Sequence, residues 1–142
     1  MTTEQAALLE QAREAGRNAY CPYSNFPVGA AVKTERGVFI GCNVENASYG
    51  LAICAERVAI FAAVAAGAKE FGTIAVSCLS SGENDPPSSK MPCGACRQVM
   101  TEFLPQESCI VVDGAGIWQI ADLLPEAFRL VATENTLEGV KS

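Results

Sequence analysis

The stretch ICAERVAIFAAVAAG, residues 53–67, decides how the rest of the chain is read. Its alanine content and apolar spacing predict a helix from Ile53 to Ala66, stopped by Gly67. The helix opens on a thiol, Cys54, with a carboxylate two residues on, Glu56, and then Arg57. A second stretch, PCGACRQ at residues 92–98, has the same character. Pro92 precedes a helix over Gly94 to Leu104, and Cys93 and Cys96 stand at its start. Ordinary core helices have no need of thiols and an acid at their first turns.

Outward from these two stretches, the chain alternates strands and helices. Thr3 to Tyr20 reads as a helix, with Leu8, Ala12, Ala15 and Ala19 at helical spacing and a capping box of Thr2 and Gln5. Cys21-Pro22 ends it, because proline removes a donor. Val28 to Thr34 and Val38 to Cys42 read as strands joined at Gly37. Residues 43–52, NVENASYGLA, read as a binding loop. Thr73 to Leu79 is a buried strand, residues 80–90 a loop, Ser108 to Val112 and Ile117 to Ile120 two further strands, and ADLLPEAF a short closing helix. The polar tail after Val131 is expected to fray. This order predicts an α/β fold with helices layered on a mixed sheet, as a single domain over residues 1–142.

Composition narrows the function. The chain has 142 residues, 49% apolar and 18% charged, with a net charge of −6. The charged share lies below the usual ~25%, which favours large buried interfaces between copies. Ten scattered basic residues form no stripe for phosphates, so a small-molecule substrate is expected and nucleic acid is not. No apolar run reaches the ~18 residues of a membrane span. The start MTTEQAALLEQ lacks a secretory pattern. Seven cysteines without that pattern indicate reduced thiols and a cytoplasmic setting.

The thiols carry the chemistry. Cys93 and Cys96 converge from one helix turn, and Cys54 adds a third sulfur from another helix start. Three sulfurs make a base for Zn2+ with a fourth tetrahedral position left for catalysis. Glu56 can reach that position without binding the metal and can move a proton there. Three thiolates leave zinc with a net negative charge, and a chain with no histidine cannot supply a neutral imidazole instead. Arg57, and Arg97 beside Cys96, are placed to donate hydrogen bonds to sulfur and withdraw that charge. Two alternatives stay open. One is a redox pair at Cys93 and Cys96. The other is a structural site closed by Cys21, Cys42, Cys78 or Cys109. The last three lie at or beside apolar strands, where free cysteine usually acts as a small hydrophobe.

Cys54-Ala55-Glu56 followed by Pro92-Cys93-Gly94-Ala95-Cys96 matches the zinc-deaminase signature with cysteine as first ligand. YSNFPVGAAV and GCNVENASYGLAICAER extend the match, so the chain resembles the cytidine deaminase family in its short, three-cysteine, homotetrameric form. The resemblance runs from about Tyr20 to Phe128. It implies a three-layer α/β/α sandwich around a five-stranded mixed sheet. It implies zinc on Cys54, Cys93 and Cys96 with Glu56 as proton shuttle. Asn43, Val44 and Glu45 would form the ribose-binding segment, Phe26 would pack on the base, and Ala55 would offer backbone groups to the pyrimidine edge. Tyr49 and Phe128 would complete the pocket of a neighbouring subunit. The implied reaction is hydrolytic deamination of cytidine and deoxycytidine in pyrimidine salvage. Hydroxide generated at the metal attacks C4, and ammonia leaves. Rival readings are a deaminase of another aminopyrimidine compound, such as blasticidin S, and a zinc-stabilised binding module without catalysis.

Overall fold

Small residues let the layers of this molecule approach closely. In the computed structural model, which describes residues 1–131, five strands form one sheet. They are β1 (Val28–Thr34), β2 (Gly37–Cys42), β3 (Phe71–Cys78), β4 (Cys109–Val112) and β5 (Gly116–Gln119). Their spatial order is β2-β1-β3-β4-β5. β3 and β4 run parallel, and each other neighbouring pair is antiparallel. The helices are α1 (Thr3–Gly16), α2 (Ala55–Ala65), α3 (Gly94–Phe103) and α4 (Ile120–Leu123).

Strand alternation sorts the core between two faces. Ala31, Ala75 and Val111 face Leu8, Leu9 and Ala12 of α1. Ala30, Val32, Ile74, Ile110 and Val112 face α2, α3 and α4 on the other side. The result is the α/β/α sandwich with a mixed sheet. The buried face of α2 is Ala55, Ala59, Ile60 and Ala63, so its helical spacing is met mostly by methyl groups. Gly29 lets α1 sit directly on β1, since a Cβ there would overlap the Ala12 carbonyl oxygen. Gly41 does the same for α2: a Cβ would lie 2.5 Å from both the Ala55 oxygen and the Ala59 nitrogen. The start of α2 is thereby pressed onto the sheet.

Several boundaries differ from the sequence reading. α1 ends at Gly16, four residues before Tyr20. Residues 17–19 turn tightly through i−3 bonds, and Tyr20 leaves the helix to pair with the loop, donating to the Asn43 carbonyl at 3.0 Å. β3 begins at Phe71, two residues early. α4 is a single turn, because Leu124 before Pro125 takes an extended φ of −145°. The expected fraying after Val131 falls on residues 132–142, outside the described ones. Among the described residues no helix is long and apolar enough to cross a membrane.

Candidate active site

The starts of α2 and α3 meet above the sheet and bring three sulfurs together. Cys54 is the N-cap of α2 and Cys93 the N-cap of α3, both in extended backbone. Cys96 is buried in the first turn of α3. The three Sγ atoms lie within 4.8 Å of one another, and those of Cys54 and Cys93 are 3.7 Å apart. A tetrahedral zinc ion with Zn–S of about 2.3 Å sets its sulfurs about 3.8 Å apart, so the spacing fits zinc. Among the described residues no fourth thiol or carboxylate joins this group. Cys21, Cys42, Cys78 and Cys109 stand free and half-buried outside this group.

Electrostatics favours thiolate here. Cys54 is pulled down to about 5, first by the Cys96 thiol as proton donor and then by Arg57, against the cost of burial. Cys96 is pushed up in turn, since one proton is shared between the pair. Both sulfurs sit at helix N-termini, where partial positive charge stabilises an anion. Arg57 Nη2 donates to Cys54 Sγ at 3.4 Å. The expectation that Arg97 also serves the sulfurs is corrected. Its Nε donates to the Pro92 carbonyl at 2.8 Å and its Nη1 to the Leu123 carbonyl at 2.9 Å. Arg97 follows the cysteine in sequence but points toward α4, locking the start of α3 to that turn.

A cleft of about 400 Å³ opens beside the sulfurs. Cys54, Ala55, Glu56 and Cys93 form one end of it, and Phe26, Asn43 and Glu45 the other. Glu56 is only 4% exposed, and its carboxyl is raised to about 7, first by burial and then by the neighbouring Cys54 charge. Burial thus favours its protonated form, which suits a group that both gives and takes a proton.

The far end is held by its own hydrogen bonds. Asn43 Oδ1 accepts from the Val28 amide and Asn43 Nδ2 donates to the Phe26 carbonyl, each at 2.9 Å. Glu45 accepts from the Tyr23 and Ser24 amides at 3.0 and 3.1 Å and from the Ser24 hydroxyl at 2.5 Å. Those donors, the Ser24 hydroxyl foremost, hold its carboxyl below the usual range. Asn43 keeps a second N–H and a second lone pair, and Glu45 keeps lone pairs, for an outside partner.

Three sequence candidates stand outside the cleft. Val44 is exposed and pairs through its backbone with Tyr20 and Ile53. Tyr49 is 77% exposed and touches Tyr23 edge-on at 6.0 Å. Phe128 is 68% exposed, its carbonyl held by Gln98 Nε2 at 3.0 Å. The sequence reading missed Ser24, Cys78, Ser89, Lys90 and Met91, which also line the cleft. The signal was present for the last three, since SKM runs directly into Pro92 and must pass beside the metal ligands.

Comparisons with known proteins agree with this geometry. The family model for the cytidine and deoxycytidylate deaminase zinc-binding region matches residues 2–112. A cytidine deaminase of Halalkalibacterium halodurans is 40% identical over 130 residues, covering 88% of this chain and 94% of that protein. The crystal structure of cytidine deaminase from Burkholderia pseudomallei superposes with a TM-score of 0.76 at 49% identity, covering 90% of this chain and all of that one. A blasticidin-S deaminase of Bacillus cereus is 39% identical over 111 residues, covering 76% of this chain and 78% of that protein. With three sulfurs at two helix starts, a buried acid beside them and this match over most of its length, the chain belongs to the cytidine and deoxycytidylate deaminase family.

Proposed function

We propose that this protein deaminates free cytidine and deoxycytidine hydrolytically to uridine and deoxyuridine, releasing ammonia, as a zinc enzyme of pyrimidine salvage. The observation that carries the reading is Glu56, buried at the cleft end where Cys54 and Cys93 also lie. A structural zinc site has no use for a buried acid facing a cleft.

Zinc on Cys54, Cys93 and Cys96 would supply a positive centre that lets water ionise near neutral pH. Glu56 takes the proton released from water and passes it to the ring nitrogen, which makes C4 electrophilic. Once the water oxygen is bonded to C4, Glu56 takes the second proton from that hydroxyl and gives it to the departing amine; the C4–N bond breaks as the C4 carbonyl forms, so that one water is consumed and one ammonia leaves. Phe26 packs on the base, and the Ala55 backbone meets the pyrimidine edge. Asn43 and Glu45 offer their remaining donor and acceptor sites to the sugar hydroxyls. Val44 holds the loop between them through its two backbone bridges. Arg57 withdraws charge from Cys54 and keeps the metal electrophilic.

We further read the active form as a cytoplasmic homotetramer with shared sites. Ile40 of β2, Phe61 and Val64 of α2 and Trp118 of β5 are exposed apolar groups that a partner would cover. Tyr49 and Phe128 are exposed and do not line their own cleft, so they would be available to close a neighbour's.

Loss of the cytidine absorbance band on incubation with zinc-loaded protein tests the reaction. Unchanged absorbance would defeat it. Blasticidin S is the informative second substrate, given the similarity to a protein of that name. The Asn43 and Glu45 lining favours a ribose-bearing substrate, so cytidine should have the larger kcat/KM. Zinc removed by chelator should abolish turnover while part of the fold persists, whereas a purely structural ion would take the fold with it.

A further inference from the structure

Lys90 is the one buried basic residue among the described ones, only 3% exposed. Its ammonium makes no salt bridge or hydrogen bond among the described residues, although its carbonyl accepts from the Cys78 thiol at 3.8 Å. Its charge is felt by the Asp113 carboxylate, which it helps to hold low, but no direct ion pair or hydrogen bond among the described residues satisfies its three donors. Lys90 lines both the substrate cleft and a second cavity. Its Nζ lies 2.9 Å from where a Cβ on Gly114 would stand. Gly114 lines that second cavity, of about 370 Å³, and Lys90 and Cys78 form the wall between it and the cleft.

The other charges of this cavity are largely spoken for. Arg13 is clamped by Asp113 at 2.8 Å through Nε and Nη2, and donates to Glu10 at 3.0 Å. Ser77 donates to Asp113 at 2.7 Å. Arg17 meets Glu14 through Nη1 at 3.1 Å, leaving its other N–H groups for the cavity it lines. Glu83 stands on the loop at the cavity's edge, beside Ser81 and Gly82. What remains for a ligand is the Lys90 ammonium, the spare Arg17 donors and the Ser81 hydroxyl. They come from three separate elements. Donors from three separate elements of one cavity can meet a tetrahedral oxyanion from different sides.

We propose that this second cavity binds a phosphate group, free or carried on a small molecule, with Lys90 as its anchoring charge. The site stands on the α1 side of the sheet and does not depend on the deaminase reading. Through the shared Lys90 and Cys78 wall, its occupant is positioned to be felt in the substrate cleft.

The test uses the full-length, zinc-loaded protein. Its melting temperature is followed while sodium phosphate replaces sodium chloride at constant ionic strength. Wild type should show a saturable rise of several degrees, and Lys90→Met should abolish it. Methionine keeps the length and volume of the stem, and the melt itself reports whether the variant folds. Amide shifts in the same titration should move at Ser81 and Gly114 with the same midpoint. Glycerol 3-phosphate, which carries no nucleoside for the substrate cleft, in place of phosphate identifies the source. Tighter binding than phosphate means an ester, and equal or weaker binding means the free ion. No saturable rise would overturn the proposal, as would an equal rise in Lys90→Met. So would shifts confined to residues 93–96, which would place the phosphate at the metal.

Discussion

The two ends of the cleft beside the sulfurs are built differently. The sulfur end is made of helix starts pressed into the core: Ala55, Glu56 and Cys96 are buried, and Gly41 lets α2 sit on β2. The other end is a loop held by side chain-to-backbone bonds from Asn43 and Glu45, with Tyr49 exposed beside it. Proton transfer needs atoms fixed to fractions of an ångström, which a packed helix start supplies. The open end suits assembly, because side chains exposed in one copy are available to another.

Substitutions at the sulfur end should have the largest effects. Glu56→Gln keeps shape and removes the titrating proton. It should cost about 10²–10⁴-fold in kcat with zinc content and fold retained. Near-normal turnover would break the contrast at once. Gly41→Ala comes next. A methyl group there meets the backbone of α2 and should cost about 2–3 kcal/mol in a urea melt, with zinc loss in parallel. Stability unchanged by this substitution would mean that the α2 start is not pinned as described.

At the loop end, Asn43→Ala removes two bonds that hold the Phe26–Val28 backbone. It should raise KM for cytidine about tenfold with zinc content unchanged, close to the loss of one or two hydrogen bonds. A fall in kcat with KM intact would instead assign Asn43 to the chemistry.

The smallest effect lies outside both ends. Asp113 is held below the usual carboxylate range, first by Arg13 and then by Ser77. A lowered carboxylate stabilises the fold fully above its unfolded value of about 3.9 and loses that contribution as pH falls through the lower folded value. Asp113→Asn should therefore be less stable than wild type by about 1 kcal/mol at neutral pH, since the pair is partly exposed. That difference should shrink below about pH 4, while cytidine turnover is unchanged. A pH-independent difference would remove the ion pair from the account.

The sulfur end was legible in the sequence because its chemistry is local. Cys54 and Cys93 stand at helix starts marked by an alanine-rich run and by Pro92, and two helix starts can share one ion. The sheet was legible for the same reason, through short apolar runs and glycine turns. What was hidden depends on contacts between distant segments. The end of α1 is set by Gly16 against Gly29 and by Tyr20 pairing with Asn43, neither visible in helical spacing. Arg97 adjoins a ligand in sequence, yet its long side chain reaches Leu123. Lys90 looked like part of a polar loop, and only the fold shows it buried between two cavities.

The central claim is a zinc ion on three sulfurs with one position left for water beside Glu56. X-ray absorption at the zinc edge of the active enzyme measures this directly. The account predicts three sulfur neighbours at about 2.3 Å and one oxygen or nitrogen neighbour. Four sulfur neighbours, or active enzyme without zinc, would contradict it.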